Sequence, residues 1–145
     1  MSEQSFPFET EVRVRFRDLD AMGHVNNAVY FTYMEMARTE FFAQILDVDE
    51  PRNFPVILGN IRCRFRSPAR FRETLRVGLG VTRFGNKSFD ILCRISGEDG
   101  RLVATGLATM VMYDYDAQKT IPVPNSLIQR VQEAQDGWAA PAEGE

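Results

Sequence analysis

Three things are scarce in this chain. It has one histidine, two cysteines and no long apolar run. A single histidine excludes the His-rich clusters that hold most catalytic metals. Cys63 and Cys93 stand far apart, with no C-x-x-C, and each lies in an apolar stretch. That excludes a disulfide framework and predicts buried free thiols in a reducing compartment, hence a cytoplasmic protein. No segment approaches the roughly 20 apolar residues of a membrane span. The opening MSEQSFPFETEVRV has no basic region followed by an apolar one, so no secretory signal is expected. Nor is there a surplus of positive charge: the net charge of −3 gives no pull toward nucleic acid. What remains is an ordinary composition, 44% hydrophobic and 26% charged over 145 residues, enough for one domain with a real core.

Residues 10–17, TEVRVRFR, alternate cleanly: Val12, Val14 and Phe16 on one side, Arg13, Arg15 and Arg17 on the other. That predicts a strand with one buried face. From about Asn27 the period lengthens. Tyr30, Met34, Ala37, Phe41 and Ile45 recur at helical spacing, which predicts a helix ending near Leu46. Phe31, Met36 and Phe42 widen its apolar surface. The stretches 56–66, 73–84, 87–97 and 101–115 read as four more strands. Hairpin signals stand at Gly85-Asn86 and around Gly97 and Gly100, and residues 67–70 (SPAR) read as a turn or bulge. Prolines 122 and 124 end the sheet, 125–135 reads as a short helix, and the last residues (GWAAPAEGE) as a loose tail. The order predicts an α+β fold: a five-stranded antiparallel sheet, joined in sequence by hairpins, wrapped around one long central helix. No repeat or second domain is visible, so residues 1–145 are read as one domain with its core over about 10–125.

The chemistry concentrates in DLDAMGHVNNAVY, residues 18–30, where the first strand gives way to the helix. Such a junction can set a carboxylate beside unpaired backbone N–H groups and the positive end of a helix dipole. That pair suffices to split an acyl bond: the carboxylate attacks or activates water, and the N–H groups hold the oxyanion. Asp20 can do this or can be a turn aspartate. Asp18 reads as structural or as an arginine's partner. Asn26 and Asn27 can cap the helix. Tyr30 reads as core more than site. Asp18, Asp20 and His24 fall short of a convincing metal set.

The element order with this motif resembles the hotdog fold and, more narrowly, the 4-hydroxybenzoyl-CoA thioesterase-like family of small bacterial acyl-CoA thioesterases. The family pattern D-x-D-x-x-G-x-V, a tyrosine, then A-R-x-E is met by Asp18, Asp20, Gly23, Val25, Tyr30 and Ala37-Arg38-Thr39-Glu40. Ser67-Pro68-Ala69-Arg70 and Gly85-Asn86-Lys87-Ser88-Phe89 match further, and the likeness spans about 10–125. It implies an acyl-CoA thioesterase that yields a free carboxylic acid and coenzyme A. Asp20 would be nucleophile or general base, and the Asn27 N–H would stabilise the oxyanion. No metal or prosthetic group would be required. GHVNN at 23–27 is also similar to the plant-type acyl carrier protein thioesterases, which use an aspartate with a nearby Asn and His. Asp20 and His24 match, but Met22 stands where that Asn should be, so His24 is read as an orienting group or a structural one. The family further implies a homodimer or homotetramer with its site at the subunit interface.

Residues 62–76 hold Arg62, Arg64, Arg66, Arg70, Arg72 and Arg76 against one acid, Glu73. They read as a landing site for coenzyme A phosphates or as a solvated strand face. Arg70 and Arg72, at the turn, are the best phosphate candidates, with Tyr30 as a further substrate contact. No aromatic interleaving points to nucleic acid. Two rival readings use the same scaffold. One is a non-catalytic acyl-CoA or acyl-carrier binding protein, which needs no carboxylate at 20. The other is an acyl carrier protein thioesterase, which needs a basic docking surface.

Overall fold

The computed structural model describes residues 5–141. Strand β1 (Phe8–Arg13) leads through a turn of 3-10 helix at Phe16–Asp18 into helix α1 (Asn27–Leu46). Four strands follow: β2 (Val56–Phe65), β3 (Thr74–Phe84), β4 (Ser88–Ser96) and β5 (Leu102–Asp114). A two-residue β6 (Lys119–Thr120), which the sequence did not predict, pairs with the end of β5, and α2 (Asn125–Gln135) closes the chain. Both helices have the predicted bounds.

All pairings are antiparallel, in the order β1-β3-β4-β5-β2. The expectation of strands joined in sequence by hairpins is therefore corrected at β2, which lies beside β5 at the far border. The crossing from β2 to β3 is held at the start of β5. The N–H groups of Arg66 and Ser67 both donate to the Val103 carbonyl, and the Ser67 hydroxyl donates to the Leu102 carbonyl. Pro68, with no N–H, cannot extend a ladder there.

The first strand also ends earlier than alternation predicts. Val12 and Val14 are buried, but Phe16 is 76% exposed. The cause is Asp18, whose carboxylate accepts the Arg15 N–H at 2.9 Å and bends the chain out of the sheet.

The core lies between one sheet face and α1. Leu75, Val77 and Leu79 of β3, and Ile91 and Ile95 of β4, are sealed against Tyr33, Met34, Ala37 and Phe41. Each such side chain is worth about 1.5–3 kcal/mol of burial. Gly106 of β5 lets the helix sit this close: a Cβ there would fall 2.5 Å from the Met34 sulfur. The helix covers the β2 border only in part. Ile61, Cys63 and Phe65 face α1 as their alternation predicts, yet Phe65 is 45% exposed and touches Tyr30 and Phe31 only along one side.

The C-terminal tail is not loose over its described part. Trp138 packs on Phe6 at 5.2 Å and over Gly80. The last part of the predicted tail, 142–145, lies outside the described residues.

Candidate functional site

The loop between β1 and α1 is built around Asp18. This residue is 2% exposed. Its carboxylate accepts from the Arg15 guanidinium at 2.9 Å and from the Tyr33 hydroxyl at 2.7 Å. Burial pushes its pKa up, but the bonds from Arg15 and Tyr33 outweigh that and hold it below the usual carboxylate range. The Tyr33 hydroxyl is raised in turn, by burial first and then by the carboxylate it serves. Asp18 is thus the arginine partner expected of it, and it also anchors the helix start: its carbonyl accepts the Asn26 N–H at 2.9 Å.

Asp20 is half-buried at the tip of this loop. Its Oδ1 accepts the Met22 N–H at 2.9 Å and the His24 N–H at 3.4 Å. Its own N–H donates to the His24 carbonyl, and Gly23 turns the chain between them at φ 81°. One carboxylate oxygen therefore shapes the loop. The other has no protein partner among the described residues.

Asn26 caps α1. Its side chain accepts the Ala28 N–H at 2.9 Å, and its carbonyl accepts the Val29 N–H at 2.9 Å. The N–H of Asn27 is left without an acceptor among the described residues. It stands at the first residue of a 20-residue helix, where the dipole is positive.

His24 is exposed and bridges Arg70 in extended pairing, so the loop is zipped to 69–70. The Val25 N–H donates to the Ala69 carbonyl, and the Ala69 N–H donates to the Tyr30 hydroxyl at 3.1 Å. Tyr30 is buried at this junction; its hydroxyl braces the 69–70 turn.

The arginine run divides in two. Arg62 and Arg64 alternate onto the sheet face away from α1, opposite in sense to Cys63. Arg70 and Arg72 stand exposed beside the Asp20 loop. Arg72 takes φ 70°, unusual for a residue with a side chain, and lays its guanidinium over Phe71 at 5.2 Å. Phe71 meets Phe16 edge to face at 6.0 Å, and both are exposed. Sequence reasoning missed this aromatic pair; two phenylalanines flanked by arginines at turns were the available signal. It also missed Arg101, which grips Glu73 with both forks at 2.6 and 2.8 Å and cancels the one acid of the run. Arg101 lies on the β4–β5 side, too distant in sequence to be paired by eye. A third omission is Arg38 on α1, 6% exposed and without an ion pair or hydrogen bond among the described residues. Among the described residues, no three His, Cys, Asp or Glu side chains converge as a metal would need.

A family profile described as the Thioesterase-like superfamily matches residues 14–131. The chain is 27% identical over 128 residues to the long-chain acyl-CoA thioesterase FadM of Escherichia coli K12, covering 86% of this chain and 97% of that one. It is 27% identical over 126 residues to the acyl-CoA thioester hydrolase YbgC of Escherichia coli O6:H1, covering 83% and 92%. The crystal structure of a Thermus thermophilus thioesterase complexed with coenzyme A and Zn superposes with a TM-score of 0.84 at 28% identity, covering 92% and 98%.

Proposed function

This chain belongs to the thioesterase-like superfamily, as a hotdog-fold thioester hydrolase of the acyl-CoA thioesterase family, and from that premise we propose that Asp20 and the Asn27 N–H split the thioester. The products are a free carboxylic acid and coenzyme A. One observation carries the reading: a carboxylate with one oxygen fixed and one unengaged shares a loop with a helix start whose first N–H is unengaged. The fixed oxygen removes rotational freedom, so the other is pre-aimed to attack the carbonyl or to take a proton from water. The Asn27 N–H supplies the oxyanion donor, a contact whose loss typically costs about 10²–10³ in rate. His24 holds the loop through its bridge to Arg70.

Arg70 and Arg72 receive the coenzyme A phosphates, and Phe16 with Phe71 gives the purine an apolar shelf beside them. The enzyme works as a homodimer or homotetramer joined at the β2 border. That strand is paired on one side only, and Ile57, Leu58 and Phe65 are exposed there. No metal or prosthetic group takes part. No helix of the described chain is long and apolar enough to cross a membrane. Free Cys63 and Cys93 fit a reducing, cytoplasmic setting.

A non-catalytic acyl-carrier module is the second reading, favoured by the turn-forming role of the Asp20 Oδ1. Thiol release from a panel of acyl-CoAs by wild type and Asp20→Asn decides between them. Release by wild type that collapses in the variant supports hydrolysis. Tight binding of acyl-CoA with no release would establish the module.

A further inference from the structure

The sheet face turned away from α1 carries a groove of about 520 Å³, a volume typical of small-molecule sites. Its floor is apolar: Leu92 of β4 and Leu107 of β5, neighbours in register. Phe6 and residues 140–141 wall one side, and Arg62, Arg64 and Arg66 the other. In the next row across the sheet, Arg94 stands beside Thr105, and Thr105 beside Arg64.

The wall is built into the fold. Gly78 and Gly80 lack the Cβ atoms that would collide with Phe6 at 2.9 Å and with the Trp138 ring at 2.5 Å. The Gln135 side-chain amide bonds both the N–H and the carbonyl of Val81, at 2.6 and 3.0 Å, fixing where the chain turns onto this face. Among the described residues, two buried side-chain nitrogens lack a hydrogen-bond partner, Arg94 Nε and Trp138 Nε1, and both belong to this face. A buried donor without an acceptor is costly, and these two mark polar groups on this face that the described chain does not satisfy. Of the acids on this face, Asp90 is already taken by Arg83 and Thr109, and Glu9 stands in the same row as Arg94 with Gly78 between them, on the side away from Leu92 and Leu107.

We infer that this groove binds an amphiphilic organic anion, its apolar body on Leu92, Leu107 and Phe6 and its acid group on Arg94. A guanidinium grips carboxylate and phosphate in the same forked geometry, so either head group meets the requirement. The site is separate from the Asp20 loop and does not rest on the hydrolysis reading.

Trp138 is the only tryptophan in the chain and packs on the groove wall, so its fluorescence reports occupancy. Decanoate and decyl phosphate should each change the emission saturably; whichever binds tighter identifies the head group. Decanol and acetate, which lack one half of the chemistry each, should need at least roughly tenfold higher concentration. Arg94→Gln should weaken decanoate at least roughly tenfold while leaving thiol release unchanged. Exposed Arg64→Gln provides a second variant with the same expected direction if Arg94→Gln misfolds. Equal binding of decanol and decanoate, or unchanged affinity in both variants, would overturn the inference. So would an absence of binding joined to a variant-dependent change in oligomeric state, which would assign the face to a second copy.

Discussion

The Tyr33 hydroxyl donates to the Asp18 carboxylate across 2.7 Å, tying the middle of α1 to the loop that carries Asp20. Asp18 in turn holds Asn26 through its backbone carbonyl. Tyr33→Phe removes the donor and leaves a buried carboxylate with Arg15 alone. The expected cost is about 1.5–3 kcal/mol, as for a lost bond to a charged group, read from urea unfolding. Turnover should fall with it, since the loop loses its brace to the helix.

Asp20→Asn keeps an oxygen for the Met22 and His24 N–H groups, so the loop should survive. Turnover on the best acyl-CoA should drop at least roughly 10²-fold, with thermal stability near wild type. Full activity in this variant would remove Asp20 from the chemistry.

Phe71→Ala and Arg72→Ala act on the shelf beside the loop. Each should raise KM for acyl-CoA roughly fivefold to tenfold, with little change in kcat, because the contact is the same in ground and transition states. A thioester truncated to the acyl-cysteamine portion should not notice either change. Equal effects on the truncated substrate would place the nucleotide elsewhere.

Gly106→Ala puts a methyl group where the Met34 sulfur lies. The methionine end can swing aside, but the core above is sealed. Destabilisation of about 1–3 kcal/mol is expected from chemical denaturation. Met34→Ala in the same chain should recover part of it by making room.

Acid should weaken the fold through Asp18 and Glu73. Burial raises Asp18 but the Arg15 and Tyr33 bonds overrule it; the Arg101 bonds lower Glu73 first, against burial. Both therefore sit below their unfolded values. Their contribution is complete above the unfolded carboxylate range, near about pH 4–4.5, and is lost as pH falls from there through the lower folded values. Melting temperature measured from neutral pH downward should hold until about pH 4.5 and then decline. Arg101→Gln should be less stable at neutral pH and show a shallower decline.

The parts of this molecule legible in the sequence are those set by neighbours a few residues away. Asn26 capping and the Tyr30–Met34–Ala37–Phe41 stripe placed α1 because both signals act within a turn of helix. The end of β1 was misread because alternation at Phe16 is indifferent to what Asp18 does two residues on. The place of β2 was hidden because strand order depends on which border the chain crosses to, and Pro68 says only that it turns. The site divides in the same way. Asp20, Gly23 and Asn26 announce themselves within seven positions. The splitting of the arginine run between the outer sheet face and the turn beside the Asp20 loop, and the Arg101 grip on Glu73, are made by segments distant in sequence.

An amide side chain carries the same donor and acceptor as a peptide unit, and Gln135 uses both on Val81. In hydrogen-bonding terms it is a strand one residue long. It seals β3 just past Leu79, where the ladder with β1 stops, without offering a new edge in exchange. The border of β3 past the end of β1 is thereby closed at Val81, while β1 and β2, each paired on one side only, keep the two borders at which the sheet could take a neighbour.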